Sequence, residues 1–246
     1  MTIPFEPIIL GYTINVHLVL EYFAFFFGFR YYLFLRKKTT DTISGTNRLS
    51  IILGAVIGAF LGSRIIGFLE NPVFPHSLET LVNILNYKTI MGGLFGGLLG
   101  VELSKKIIGE QQSSGDLFVF PILLGIFIGR IGCVLSGINE FTYGKETTFF
   151  MGMNLGDGLL RHPLALYELI FVIFLSLFLL KIKNRELKNG LLFQYFMISY
   201  FAFRFGIEFL KPNVFFVFGL STIQLLCLLC LIYYRKTILH LFKNAS

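Results

Sequence analysis

Three arginines sit inside strongly apolar runs of this chain, Arg64, Arg130 and Arg204. A guanidinium at membrane depth costs roughly 2.5–3.5 kcal/mol even on lenient insertion scales, so each one points to a functional site or a built-in partner. Arg130 stands in Gly129-Arg130-Ile131-Gly132-Cys133-Val134-Leu135-Ser136-Gly137, and a polar stretch ending Glu140-Phe141-Thr142-Tyr143-Gly144 follows at once. Tyr200, Arg204 and Glu208 are spaced i, i+4, i+8, which makes one polar stripe on a phenylalanine-rich helix. Arg204 could pair with Glu208 or Glu168, holding helices together, or serve as a bidentate donor to a phosphate. Arg161-His162-Pro163 leads into Leu166-Tyr167-Glu168. Pro163 suits a helix start, and His162 could accept a proton near neutral pH or act as a hydrogen-bonding structural residue. No His/Asp/Glu cluster shows metal-ligand spacing, and neither a G-x-S-x-G elbow nor an H-E-x-x-H pair is present. Neither a metal nor a cofactor is expected.

The elements that must position these residues are membrane helices. The 246 residues are 55% hydrophobic and 14% charged, against roughly 25% charged in soluble domains, and the mean hydropathy is +0.75. Thirty Phe and no Trp complete the picture. The net charge of +7 comes from short clusters beside apolar runs. These are topology signals and do not form a nucleic-acid surface. The pattern predicts an all-α membrane protein, a single polytopic domain over 1–246 with seven transmembrane helices at about 15–36, 48–69, 89–108, 117–135, 164–181, 190–209 and 213–234. The first span lacks a basic leader and a small-residue cleavage site, so it is expected to be retained.

Lys and Arg set the direction. Thirteen fall in the first, third and fifth connections and the tail, against Lys88, Lys145, Arg161 and Lys211 on the other side. The N-terminus is therefore expected outside and the C-terminus in the cytoplasm, with small extracytoplasmic elements at about 70–88 and 136–163. In that topology Arg64, Arg130 and Arg204 each lie about five residues before an outer helix end, roughly 7–8 Å below the boundary. Glu21, Glu168, Glu208, His17 and His162 fall at the same level. Snorkelling explains a single such residue. A polar cavity open to the outer leaflet explains the set.

Span two carries Gly54, Gly58 and Gly62, span three Gly92, Gly96 and Gly100 with Gly93 and Gly97 beside them, and span four Gly125, Gly129 and Gly132. Close helix packing is the first expectation for such stripes. Those flanking Arg130, and the paired Gly92 and Gly93, could instead leave a ligand room near the backbone. Asp116 is expected to cap span four. Cys227 and Cys230 lie in an apolar run without the polar context a redox motif needs, and none of the three cysteines suggests a secreted disulfide framework.

At these residues the chain resembles the prolipoprotein diacylglyceryl transferase family. Gly129-Arg130-Ile131-Gly132 with Gly137, Glu140, Tyr143 and Gly144 is similar to that family's G-R-x-G-N-F-x-N-G-E-x-x-G, with a short insertion. Arg161-His162-Pro163 through Glu168 resembles R-H-P-S-Q-L-Y-E. Tyr200, Arg204, Glu208 and Pro212 resemble Y-x-x-x-R-x-x-x-E-x-x-x-P. Gly62-Ser63-Arg64, the span-three glycines and Asp116 fall in the family's order, so the resemblance covers nearly the whole chain. Cys133 stands where the signature has Asn, Leu164 and Ala165 where it has Ser and Gln, and Met91 where a histidine is common. The tyrosine expected early in span one has no clean counterpart, Glu21 or Tyr22 lying nearby.

The resemblance implies transfer of the diacylglyceryl group of phosphatidylglycerol to the lipobox cysteine of a preprolipoprotein. A thioether forms and glycerol phosphate is released, at the outer face of a bacterial inner membrane. It further implies that Arg130 and Arg204, with Arg64 a third, hold the phosphate, and that Glu140, Glu208 and His162 are candidates for the base. Cys133, Gly144, Tyr167, Tyr200, Gly92 and Gly93 are expected to line the substrate site. The expected partners are phosphatidylglycerol, the preprolipoprotein and membrane lipids, and no nucleic acid. The alternatives are a paralogue acting on another headgroup or inactivated by the Cys133, Met91 and Ala165 changes, and a small-solute transporter, which would need internal repeats and midplane polar residues.

Overall fold

The computed structural model describes residues 3–39, 42–70, 87–184, 187–213 and 218–245. Helices dominate them: α1 (Val16–Lys38), α2 (Gly45–Glu70), α3 (Ile90–Ile108), α4 (Val119–Ser136), α5 (Leu164–Lys183), α6 (Leu191–Ile207), α7 (Thr222–Tyr233) and α8 (Arg235–Ala245). The first six fall at the expected segments, and α7 lies within the seventh but begins at Thr222, nine residues after its expected start at 213. α1, α2, α5 and the stretch Asp116–Asn139 around α4 are long and apolar enough to cross a membrane, and α7 with the first part of α8 counts as a fifth if that pair, bent by 68°, is one span. Four or five candidate spans among the described residues are those of a multi-pass membrane protein. α3 carries Glu102, Lys105 and Lys106 in its last two turns, and α6 reaches only 17 residues before tightening into a 3-10 turn at Glu208–Leu210.

Of the two connecting segments expected outside the membrane, 71–86 lies outside the described residues. The second contains a 3-10 turn, Gly137–Asn139, and a short antiparallel hairpin of β3 (Met153–Asn154) and β4 (Leu160–Arg161). A hairpin that the sequence pattern does not foretell, β1 (Ile8–Ile9) with β2 (Tyr12–Thr13), precedes α1.

The chain forms two compact units. The first comprises Met1–Thr40, Ser114–Phe196 and Phe209–Pro212. Here α4 packs against α1 and α5, and its buried face presents Val119, Leu123, Ile126 and Cys133. Tyr32 of α1 stacks on Phe118 with ring centroids 4.5 Å apart. The outward faces carry Phe25, Phe26, Phe174 and Phe178, all exposed. That is the arrangement of helices solvated by lipid, and it accounts for much of the phenylalanine content. Asp116 does not cap α4. Its carboxylate accepts from Gly190 N at 2.6 Å and Phe193 N at 2.9 Å, capping the start of α6 instead, because the short 3-10 turn in front of α4 swings it away.

The second unit comprises Asp41–Ser113, Met197–Glu208 and Asn213–Ser246. Its centre is the α2–α3 pair. The two glycine stripes face each other: a Cβ placed on Gly62 would lie 2.8 Å from the Gly96 Cα, and one on Gly58 3.0 Å from the Gly100 Cα. The packing expectation holds for these positions, since no side chain fits between backbones this close. α7 packs on both helices. Its start is fixed by a capping box between Ser221 and Gln224, and by Thr222 donating to the Leu69 carbonyl at 2.8 Å.

Candidate active site

α4 presents Arg130 and Cys133 one turn apart on its buried face, where i and i+3 side chains meet. Arg130 is only 6% exposed. Its Nε lies 2.8 Å from Glu168 Oε1, and Glu168, in the second turn of α5, is 1% exposed. The guanidinium therefore keeps its charge inside an apolar helix pair because a carboxylate was buried with it. Arg130 Nη1 donates to Cys133 Sγ at 3.4 Å. On the far side of that sulfur, His17 Nε2 lies at 3.5 Å, and His17 Nδ1 is 3.1 Å from Glu140 Oε1. Five side chains thus form one line: Glu140, His17, Cys133, Arg130, Glu168.

His17 reaches the sulfur because Gly132 has no side chain. A Cβ there would lie 3.1 Å from His17 Cδ2 and 3.3 Å from its Cα. The room beside Arg130 that the sequence offered to a ligand is, at Gly132, taken by His17. At Gly129 a Cβ would meet nothing within 4 Å, so that room is open. A small cavity with about 10 Å³ of space for water-sized groups opens beside Cys133, bounded also by Gly137, Thr142, Pro163, Ala165 and Leu166.

The polar segment after α4 folds back over this region. Gly144, expected to line the substrate site, makes a close backbone approach here. Its φ is not positive, its N–H donates to the His162 carbonyl at 2.8 Å, and a Cβ would come 2.6 Å from His162 Cβ. His162 Nδ1 is 3.1 Å from the Tyr167 hydroxyl. Arg161 holds the hairpin: its Nε is 2.6 Å from Asp157 Oδ2, and its guanidinium stacks over Tyr143 at 5.4 Å. The hydrogen bond from Arg161 holds the Asp157 carboxyl below the usual carboxylate range, against the opposing effect of its partial desolvation.

In the second unit, Arg204 Nη2 lies 3.1 Å from Glu208 Oε2, and Glu208, 1% exposed, also accepts from Asn213 Nδ2 at 3.1 Å. Of the two carboxylates the sequence left open for Arg204, Glu208 pairs with it, and Glu168 pairs with Arg130. Tyr200 is fully buried in α6. Arg64 Nη1 donates to the Tyr87 carbonyl at 2.9 Å. Its neighbour Ser63 accepts from Thr89 N at 3.0 Å, and Thr89 caps α3 through Gly92 N. Gly92 is buried in the α2–α3 seam, with a Cβ there meeting Ile66 Cβ at 2.8 Å, whereas Gly93 has ordinary clearance of 3.8 Å.

Sequence reasoning missed the parts played by two residues. His17 falls in the expected polar layer but gains no chemistry there, because its partners are more than a hundred positions away. Glu168 stands in the sequence as a member of the polar layer and of the Arg161–Glu168 motif, but with Arg204 rather than Arg130 as its offered partner. Its signal was a carboxylate placed just after Pro163 and Tyr167 on entry to a span.

A family model described as prolipoprotein diacylglyceryl transferase matches residues 7–239. Over 197 residues the chain is 34% identical to the phosphatidylglycerol–prolipoprotein diacylglyceryl transferase of Nitratidesulfovibrio vulgaris, a match covering 73% of this chain and 69% of that one. It is 36% identical over 185 residues to the protein of that name from Ehrlichia ruminantium, covering 67% of each. With phosphatidylglycerol–prolipoprotein diacylglyceryl transferase 2 of Clostridium perfringens it shares 30% over 190 residues, 74% of this chain and 73% of that one.

Proposed function

The chain belongs to the prolipoprotein diacylglyceryl transferase family, and on that footing we propose that it moves the diacylglyceryl group of phosphatidylglycerol to the lipobox cysteine of preprolipoproteins. The substrate sulfur attacks the glyceryl carbon that bears the phosphate ester. The carbon–oxygen bond breaks, its electron pair leaves on glycerol phosphate, and a thioether remains on the protein.

The observation that carries the reading is Arg130, a buried cation held by Glu168 at 2.8 Å beside a polar line that includes a sulfur and an imidazole. A planar guanidinium has several N–H donors in a fixed fork, so it can hold a carboxylate on one edge and an anionic headgroup on another. Preorganised donors aimed at a leaving phosphate are a large catalytic term. We assign Arg130 to the phosphate and to the charge that grows on glycerol phosphate. Arg204 with Glu208 is assigned a second cationic role in transfer, and Arg64 a supporting one. Gly144, Tyr167 and His162 would shape the substrate side of the first unit, and Tyr200, Gly92 and Gly93 are the candidates in the second.

The charge bias supports seven crossings of a bacterial inner membrane, N-terminus outside and C-terminus inside, with the site toward the outer leaflet. Both substrates are lipophilic and would arrive laterally. The paralogue and transporter readings are not favoured, since the similar proteins carry the transferase name over two thirds or more of their length.

The test is direct. Purified protein incubated with phosphatidylglycerol and a lipobox peptide should increase the peptide's mass by one diacylglyceryl group. A peptide of unchanged mass, with folded protein and lipid present, sinks the proposal.

A further inference from the structure

The transfer sets one chemical requirement for which the sequence offers Glu140, Glu208 and His162 without choosing among them: the incoming thiol must lose its proton before its sulfur can attack. We propose that Cys133 and His17 form the proton relay that meets it, with Glu140 as the positioning residue. This assignment rests on the transfer reading above.

The geometry runs in one direction. Asn15 caps α1, its side chain accepting from Leu18 N at 2.9 Å, and so fixes His17 in the first turn. Glu140 Oε1 at 3.1 Å from Nδ1 favours a proton on that nitrogen, and in the neutral ring that tautomer turns the Nε2 lone pair toward Cys133 Sγ at 3.5 Å. A nucleophile or relay atom beside a base, with the base oriented by a third group, is the arrangement that activates thiols and hydroxyls in many enzymes. Cys133 itself is an unsuitable covalent acceptor of the diacylglyceryl group. A thioether to the enzyme would not be displaced by a second thiol, whereas proton exchange through its sulfur leaves the enzyme unchanged.

Cys133 also borders the small cavity, whose roughly 10 Å³ admits a single group of a water's size. A thiol entering there hands its proton to the Cys133 sulfur while the Cys133 proton passes to His17 Nε2. Glu140 stabilises the resulting imidazolium. The substrate sulfur, now a thiolate, attacks phosphatidylglycerol, and the departing electron pair is received on the phosphate held by Arg130. The proton on His17 returns to the departing phosphate or to water, and the relay is reset. No oxidant or other co-reactant is involved.

A selenol is already ionised at neutral pH, so a lipobox peptide with selenocysteine in place of cysteine needs no base. His17→Gln should slow transfer to the cysteine peptide by about 100-fold or more, the usual reach of general-base catalysis. Transfer to the selenocysteine peptide should stay within about 5-fold of the parent protein, since only the proton step is missing. Cys133→Ala should behave the same way, and Glu140→Gln should fall between. The proposal is overturned if His17→Gln modifies the cysteine peptide at the parent rate. Equal slowing of both peptides also overturns it, because that marks His17 as structural. Should His17→Gln fail to fold, Glu140→Gln carries the same comparison. A parent protein that modifies neither peptide overturns the transfer reading itself, an outcome distinct from the other two.

Discussion

Glu168 decides what Arg130 can do. Buried to 1% exposure, it neutralises the guanidinium through an ion pair made on the Nε edge. Removing one member of such a pair leaves an uncompensated buried charge, so Glu168→Ala should destabilise the protein by about 3–5 kcal/mol, measured by thermal or denaturant unfolding in detergent. Arg130→Ala should lower transfer by at least about 100-fold while the protein still inserts into the membrane. Arg130→Lys should not restore it, because a lysine cannot keep a carboxylate on one edge and offer a planar fork on the other. Normal turnover in Arg130→Ala, followed by peptide mass, would remove the phosphate assignment. Arg204→Ala should likewise abolish transfer. At Asp157, the hydrogen bond from Arg161 depresses the carboxyl's pKa in the folded state. The stabilisation from that pair is therefore fully present above the unfolded value of about 4 and lost as pH falls through the folded one. The difference in melting temperature between the parent and Asp157→Asn should be constant near neutrality and shrink only in acid.

Among the elements, α2 and α3 depend on bare backbone at their crossing. Gly96→Val would drive side-chain carbon into a space where even a Cβ lies 2.9 Å from Gly62 Cα, and overpacking of this kind costs roughly 1–3 kcal/mol or more. The matched control is Gly129→Ala on α4, where nothing lies within 4 Å and the better helix former should leave stability level or slightly raised. If both substitutions shift the unfolding midpoint equally, the seam does not discriminate and the packing argument fails. Asp116 offers a second element-level test: Asp116→Ala removes a cap from α6 and should cost about 1 kcal/mol, although α6 begins some seventy residues further along the chain.

For the molecule as a whole, the quantity to test is direction in the membrane. With thirteen Lys and Arg in the first, third and fifth connections and the tail and four in the others, the expectation is that Asp157→Cys reacts with an impermeant thiol reagent in intact spheroplasts. Ser113→Cys should react only after lysis. The native cysteines are buried and interfere little. The opposite labelling pattern would invert the topology and with it the outer-leaflet location of the site.

Apolar run length, glycine spacing and the clustering of Lys and Arg are properties of neighbouring residues. The sequence alone was therefore enough to establish the membrane class, the positions of α1 to α6 to within a few residues, the presence of α7 with its start placed nine residues early, and the motifs of the family. The two-residue hairpin strands left no such trace, since Ile8–Ile9 and Tyr12–Thr13 are too short to show a period. Only the tertiary structure decided which carboxylate each arginine takes, that Asp116 caps a distant helix, and that His17 stands against Cys133 across a gap made by Gly132. Each of these contacts depends on how far a helix is rotated about its own axis when it packs. Spacing along one helix cannot specify that angle, because the neighbour that sets it comes from elsewhere in the chain.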